Sequence, residues 1–439
     1  MSVLPYRITS LLRRLAWHLQ DRILPLSYRR ARIAHRIAKT EATIRARLNA
    51  TPDHPLRVGF VVCERAKWSA GSLFKALDSD PAFQCGFFPA LSDTALRMRP
   101  DARRRAYTKM RAFFRKIGPI WADFYEPTLD EVRIPRHPPC DVIFYQQPWG
   151  MQELPRHLSR DVLGAHMHYG FVVLDNESMQ WQKPYFHGYL WRYYAQTQRH
   201  LDLMRASNAP GRPPETSLRL GGYPKLDMYR RPAPERKSVR RWSHRKDTDR
   251  LRVIYAPHHA IGEASLGLST FAWSGPVMEE LATTHPEIDF LLKPHPNMRY
   301  ALGQNGEMSQ ADINKWFKGW ETRKNCTVFK GGRYFKHFRT SDLLITDSGS
   351  FLAEYLPTGA PIIRMRNPGT GALNDIGQDL KQAFYQVYSP DELRQQFERV
   401  AVHGDDPLHD LRQEKIALVL PPGPPSSEVI AEDLRQLIP

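Results

Sequence analysis

Three places in this chain collect residue types that can move protons or hold phosphate. Tyr255-Ala256-Pro257-His258-His259 ends a short apolar run on two imidazoles. Lys293-Pro294-His295-Pro296 ends another on a histidine held between two prolines, which restrict its backbone. Thr346-Asp347-Ser348-Gly349-Ser350 ends a third, just before a helix-like stretch at 351–356. An imidazole near neutral pH can serve as base, acid or phosphate ligand. A helix start rich in serine and glycine offers free N–H groups and the positive end of the helix dipole to an anion. Ser348 and Ser350 add hydroxyl donors, and Gly349 lets the backbone approach a ligand closely. A plain helix cap by Asp347 or Ser348 would use the same residues with no ligand; three such strand ends together favour a phosphate site. A zinc reading of His258, His259 and Asp347 has neither an H-E-x-x-H helix nor Cys/His spacing behind it, so no metal is expected. P-loop, nucleophile-elbow and G-x-G-x-x-G patterns are absent from the sequence.

These residues need elements that bring them to one edge. Residues 58–63, 83–88, 141–145 and the start of 164–174 read as strands of a first half. Residues 251–256, 288–292, 325–329, 343–346 and 361–364 read as strands of a second half, with helical patterns such as 277–284 between them. Strands alternating with helices predict parallel, doubly wound sheets, whose ligands bind beyond the carboxyl ends of the strands. The expected division is a basic helical segment at 1–50, a Rossmann-like domain at 51–229, a basic linker at 230–250, and a second Rossmann-like domain at 251–439 that ends in a closing helix.

Length and charge fit that plan. The chain has 439 residues and a formal charge of +17, with 41% hydrophobic residues. Two domains are the ordinary reading of that length. The longest apolar runs fall far short of the roughly 20 residues that span a bilayer, and the N-terminus lacks a signal-peptide pattern. Four scattered cysteines without a C-x-x-C suit a reducing, cytoplasmic compartment. Ile8, Leu11, Leu12, Leu15, Leu19 and Ile23 form a helical apolar stripe, and Ile33, Ile37, Ile44 and Leu48 form a second among arginines. Such a segment can lie on anionic lipid of the inner membrane face or pack on the protein itself. Residues 230–250 hold nine Arg or Lys residues with little apolar content and read as a solvated linker; no nucleic-acid motif accompanies them, so nucleic acid is not the expected partner.

Gly222-Tyr223-Pro224-Lys225-Leu226-Asp227, Tyr255-Ala256-Pro257-His258, Lys293-Pro294-His295-Pro296 and Thr346-Asp347-Ser348-Gly349-Ser350 with Glu354-Tyr355 occur in an order that resembles the CDP-glycerol glycerophosphotransferase family, which includes teichoic acid primases and polymerases. The resemblance covers roughly residues 140–440. It implies a GT-B architecture, two Rossmann-like domains facing a cleft, and transfer of glycerol phosphate from CDP-glycerol to a lipid-linked or polymeric acceptor, with no metal or other cofactor. It places His295 in catalysis. His258, His259, Lys293, Asp347, Ser348, Gly349, Ser350 and Glu354 would serve the donor phosphates. The family's Trp-His-Gly motif has no exact counterpart: the chain reads His166-Met167-His168-Tyr169-Gly170, so His168, or else His166, would be the base. A nucleotide-sugar glycosyltransferase of the same architecture is the alternative enzyme; a nucleic-acid binder is the alternative outside enzymes.

Overall fold

The structure is a computed structural model that describes residues 24–151, 153–175, 183–239, 242, 249–261, 267–304, 308–332, 334–368 and 371–439. The chain forms two compact units, one from the described residues of 1–170, 176–227 and 424–439, the other from 171–175 and 228–423.

In the first unit, helix α1 (Leu26–Ala50) leads into β1 (Leu56–Val62), α2 (Gly71–Asp78), β2 (Phe83–Pro89) and α3 (Pro100–Arg115). β3 (Val142–Tyr145), β4 (Leu163–Met167), β5 (Arg192–Ala195) and β6 (Leu218–Leu220) follow. The strands make one sheet in the order β2-β1-β3-β4-β5-β6, with every pair parallel. Helices cover a parallel sheet on both faces, which is why β1 and β3 are buried almost along their whole length. Asp141, buried just before β3, accepts from Arg47 of α1 at 2.8 Å and from Arg57 of β1 at 3.0 Å, tying helix to sheet.

In the second unit, β7 (Arg252–Ala256), α4 (Phe271–Thr284), β8 (Asp289–Leu292), β9 (Cys326–Val328), β10 (Leu343–Thr346), α5 (Gly349–Tyr355), β11 (Ile362–Met365) and β12 (Tyr385–Val387) form a second parallel sheet, ordered β9-β8-β7-β10-β11-β12. Counted within the unit this is the 3-2-1-4-5-6 order of dinucleotide-binding folds. The order reverses between β7 and β10, and ligands of such sheets bind in the crevice outside that point.

Four expectations need correction. The helix at 26–50 is not free to lie on a membrane by its apolar side, because Ile37, Ile44 and Leu48 are buried in the core of the first unit. The first stripe, at 8–23, lies outside the described residues. The 230–250 stretch is not wholly a solvated linker: Arg236 pairs with Asp342 at 2.7 Å, and Trp242 is buried with its indole N–H on Thr340 at 3.2 Å. Both contacts put described residues of that stretch in the second unit. The boundary also falls differently at 171–175, which pack with the second unit. The last helix (Ser426–Arg435) closes the first unit, not the second: Ile430, Leu434 and Leu437 are buried in its core, and the Asp227 carboxylate caps the helix by accepting the Ser426 and Ser427 N–H groups at 2.8 and 2.9 Å. No helix of the described residues is long and apolar enough to cross a membrane.

Candidate active site

The second unit gathers its predicted residues where the sheet order reverses. β7 and β10 are neighbours, so Pro257-His258-His259 and Asp347-Ser348 leave the sheet side by side; β8, on the other side of β7, delivers His295. The three imidazoles meet. The His259 and His295 rings stack at 3.7 Å between centroids, and His258 lies 4.5 and 5.1 Å from them. One ring nitrogen from each falls within 4.8 Å of the others, as a metal triad would require.

Hydrogen bonding argues for a different ligand. Nδ1 of His258 accepts the Ala260 N–H at 3.1 Å, and Nδ1 of His295 accepts the Asn297 N–H at 3.2 Å. In a neutral imidazole the proton then sits on Nε2, so both rings present N–H donors. Burial, and secondarily His259, pushes the His258 pKa down to about 3 and keeps that ring neutral. Two protonated Nε2 atoms suit a phosphate oxygen; a cation needs those lone pairs and would have to break both main-chain contacts.

Asp347 does not face a ligand. Its carboxylate accepts the backbone N–H of His258 at 2.6 Å, and the N–H and hydroxyl of Thr270 at 2.8 and 3.0 Å. It is a positioning residue that clamps the turn after β7 to the end of β10. Burial raises its pKa to about 6, against these same hydrogen bonds. Ser348 sits at the N-cap of α5 without a side-chain cap bond, while Ser350 is the second residue of the helix; both are half-buried. Gly349 is needed for packing as well: a Cβ there would lie 3.2 Å from Leu174 and 3.3 Å from Val173. Glu354 is fully buried, with its carboxylate on the Tyr334 hydroxyl and its carbonyl taking the Tyr229 hydroxyl at 2.7 Å. The Lys293 ammonium lies over the Tyr334 and Phe351 rings at 5.2 and 5.6 Å. Glu354 and Lys293 therefore brace the wall behind the loop, and a direct role for Glu354 on the donor phosphates has no geometric support.

Sequence reasoning passed over Thr270 and Arg364. Thr270 lies where the sequence shows only a helix start. Arg364 ends the apolar run Pro361-Ile362-Ile363 inside a central strand, a place that rarely holds a guanidinium. It is buried, gives Nη2 to the Gly371 carbonyl at 3.2 Å, and has no carboxylate partner among the described residues. Burial, then Arg366, lowers its pKa to about 10.

In the first unit, His168 follows β4. Its Nδ1 lies 2.8 Å from the Gly170 carbonyl, which can only accept, and 3.3 Å from the Gly170 N–H; the shorter contact puts the proton on Nδ1 and leaves Nε2 a lone pair. That Nε2 has no hydrogen-bond partner among the described residues. Burial pushes the pKa of His168 down to about 4, leaving it unprotonated at neutral pH. Tyr223 steadies this turn by donating its hydroxyl to the Tyr169 carbonyl at 2.8 Å, and Gln196 donates to the Gly170 carbonyl at 2.9 Å. His166, two residues earlier, points into the body of the unit: it is fully buried against Phe186, Tyr193 and His187, with Nδ1 on the Tyr145 carbonyl at 2.9 Å. Burial holds its pKa well below the usual value. Nε2 of His166 is likewise without a partner among the described residues, so what separates the two is access: His166 is fully buried and His168 only half-buried, which favours His168 as the base.

No protein-family model and no curated protein matches the chain. Solved structures do share its fold. UDP-GlcNAc 2-epimerase of Neisseria meningitidis, bound to UDP-GlcNAc, aligns with a TM-score of 0.53 at 13% identity over 87% of this chain and 100% of that one. MnaA of S. aureus with UDP gives 0.54 at 11%, over 87% and 96%. The wall teichoic acid polymerase TagF with CDP-glycerol gives 0.51 at 12%, over 94% and 98%. The fold is therefore α/β and GT-B-like, with two Rossmann-like units of six parallel strands each. At these identities the likeness establishes the fold alone, and the teichoic acid polymerase is one such neighbour among several.

Proposed function

We propose that the protein is a transferase that moves a glycerol phosphate, or a related polyol phosphate, from a CDP-activated donor to a hydroxyl of a lipid-linked or polymeric acceptor in the synthesis of a surface polymer such as a capsule or teichoic-like chain. The carrying observation is the convergence of His258, His295 and the Ser348–Ser350 turn at the point where the second sheet reverses order. Imidazole N–H groups, backbone N–H groups and serine hydroxyls are donors of the kind that hold a diphosphate. The ordered motifs shared with glycerophosphotransferases favour glycerol phosphate as the group moved.

In this reading an acceptor oxygen attacks the donor's β-phosphorus in line. The new P–O bond forms as the bond to the bridging oxygen breaks, and CMP leaves with the bond's electron pair. Nε2 of His168 takes the hydroxyl proton. His295 donates its Nε2–H to the phosphate oxygens as charge builds on the departing CMP, and Arg364 adds fixed positive charge within the donor unit. Such transfers need positioning and charge neutralisation more than covalent chemistry from the protein. No metal or cofactor enters the scheme. The protein would work on the cytoplasmic side, held at the inner membrane face by residues 1–23.

The deciding experiment incubates the purified protein with CDP-glycerol, other CDP-alcohols and nucleotide sugars, and identifies the nucleotide released. Release of CMP with formation of a phosphodiester is the expected result. Turnover of a nucleotide sugar alone would replace this reading by a glycosyltransferase.

A further inference from the structure

Away from both histidine clusters, the first unit holds a cavity of about 340 Å³ lined by α1, the 184–189 segment and the 210–215 loop. That volume falls within the range of small-molecule sites. Six arginines line it: Arg29, Arg30, Arg32, Arg36, Arg156 and Arg212. Among the described residues the acid on its wall is Glu215, already shared by Arg205 and Arg212, each at 2.9 Å. Arg30, Arg32 and Arg36 have no carboxylate within ion-pair distance among the described residues. Instead Arg30 donates to the Ala209 carbonyl at 2.9 Å, and Arg36 lies over the Tyr189 ring at 5.5 Å. Arg156 lies over Tyr185 and Tyr189 at 4.9 and 5.6 Å. A carbonyl and a ring face orient the Arg30 and Arg36 guanidinium groups without neutralising them. Burial, then Arg212 and Arg29, lowers the proton affinity of Arg30, as expected where like charges crowd a concave surface.

Helix stability does not ask for this arrangement. α1 already buries Ile37, Ile44 and Leu48 further along, and arginines in its first turns oppose the helix dipole. Planar, fork-shaped donors around a concavity are the chemistry of phosphate recognition. Between them Leu24, Leu26, Ile33, Pro184 and Pro213 give the cavity an apolar side.

We propose that this cavity binds an organic phosphate monoester, with the phosphate on the arginines and the carbon part against the apolar wall. Two sources share that chemistry, an anionic lipid headgroup and a water-soluble sugar or glycerol phosphate. The inference stands apart from the donor site, since none of its residues belongs to the strand ends described above.

Calorimetry on the full chain tests it, with dihexanoyl phosphatidic acid, glycerol 3-phosphate, inorganic phosphate and dihexanoyl phosphatidylcholine as probes. Saturable binding of at least one phosphate monoester is expected, with no binding of the zwitterionic lipid. Affinity should fall at least tenfold in the double variant Arg30→Gln/Arg36→Gln and severalfold in Arg32→Gln. Arg32 is exposed, so that variant should fold normally and keeps the test open if the double variant does not. Tighter binding of phosphatidic acid than of glycerol 3-phosphate would identify a lipid; equal or weaker binding would identify the soluble ester. Failure of every monoester to bind saturably, or equal affinity in wild type and Arg32→Gln, would overturn the proposal. So would binding of inorganic phosphate as tight as that of either ester.

Discussion

The Nδ1 atoms of His168, His258 and His295 all turn back to the main chain, but they meet different groups there. His168 meets a carbonyl more closely than an N–H and leaves Nε2 a lone pair; His258 and His295 meet N–H groups and leave Nε2 a proton. A base and two donors follow from the same side chain. His295→Ala should therefore lower turnover by about a hundredfold or more, the scale of acid–base and charge-stabilising groups. Thermal stability should barely change. Near-normal turnover would take His295 out of the mechanism. Burial also makes His168, His258 and the neighbouring His187 pH-sensitive in stability. A histidine whose folded pKa is lowered binds fewer protons folded than unfolded, so its contribution is complete above about 6.5 and is lost as pH falls toward the folded value. His168, His187 and His258 are pushed down to about 4, 3 and 3. Asp347, raised to about 6, acts in the opposite direction between about 6 and 4, but it is one group against three. Melting temperature should fall steeply from pH 6.5 to 4. A flat profile over that window would show that the histidines are solvated.

At the scale of elements, the turns matter more than the strands. Asp347 joins the end of β10 to the turn after β7 and to Thr270 ahead of α4. Asp347→Asn should lose charge-assisted bonds to buried N–H groups, at about 1–3 kcal/mol. It should also weaken donor binding, because the His258 turn loses its anchor. A variant with normal melting temperature and normal donor affinity would remove that role. The α5 turn makes a paired prediction. Ser350→Ala should weaken CDP binding with little loss of stability. Gly349→Val should lower both, since its side chain must displace Leu174 and Val173. CDP titration beside thermal melting separates the two; unchanged CDP affinity in both variants would leave the turn a helix cap only.

At the scale of the whole molecule, α1 and the last helix both close the first unit. A chain starting at Thr51 loses Ile37, Ile44 and Leu48 from the core, each worth about 1.5–3 kcal/mol when buried, together with the Arg47–Asp141 pair. It should unfold at clearly lower denaturant than a chain starting at Leu24, and equal midpoints would show that α1 is dispensable. Vesicle pelleting is a separate matter: if residues 1–23 carry membrane attachment, the full chain should sediment with anionic vesicles, and the chain from Leu24 should not.

Much of this was legible without coordinates. The β-branched and aliphatic runs at 343–346 and 361–364 announce buried parallel strands, because a strand covered on both faces has no polar alternation to blur it. The strand ends that carry His258, His295 and Ser348 follow directly, since a strand's end is set locally by proline, glycine and charge. β5, β6 and β12 were harder: β5 opens on Arg192, and the short β6 and β12 carry Arg219 and Gln386 at their centres, which breaks the apolar run. The fate of polar side chains was not legible at all. Asp347 and Glu354 look like phosphate-site residues in one dimension, yet one faces a main-chain turn and the other a tyrosine. Likewise the apolar stripe of α1 and the final helix could each have belonged to a membrane or to either unit. Sequence determines that a face is apolar or that a carboxylate is present, through the chemistry of each residue and its neighbours. Which partner fills the hydrogen bonds or covers the face depends on groups distant in sequence, 199 residues apart for Asp227 and Ser426, and only the tertiary structure decides that.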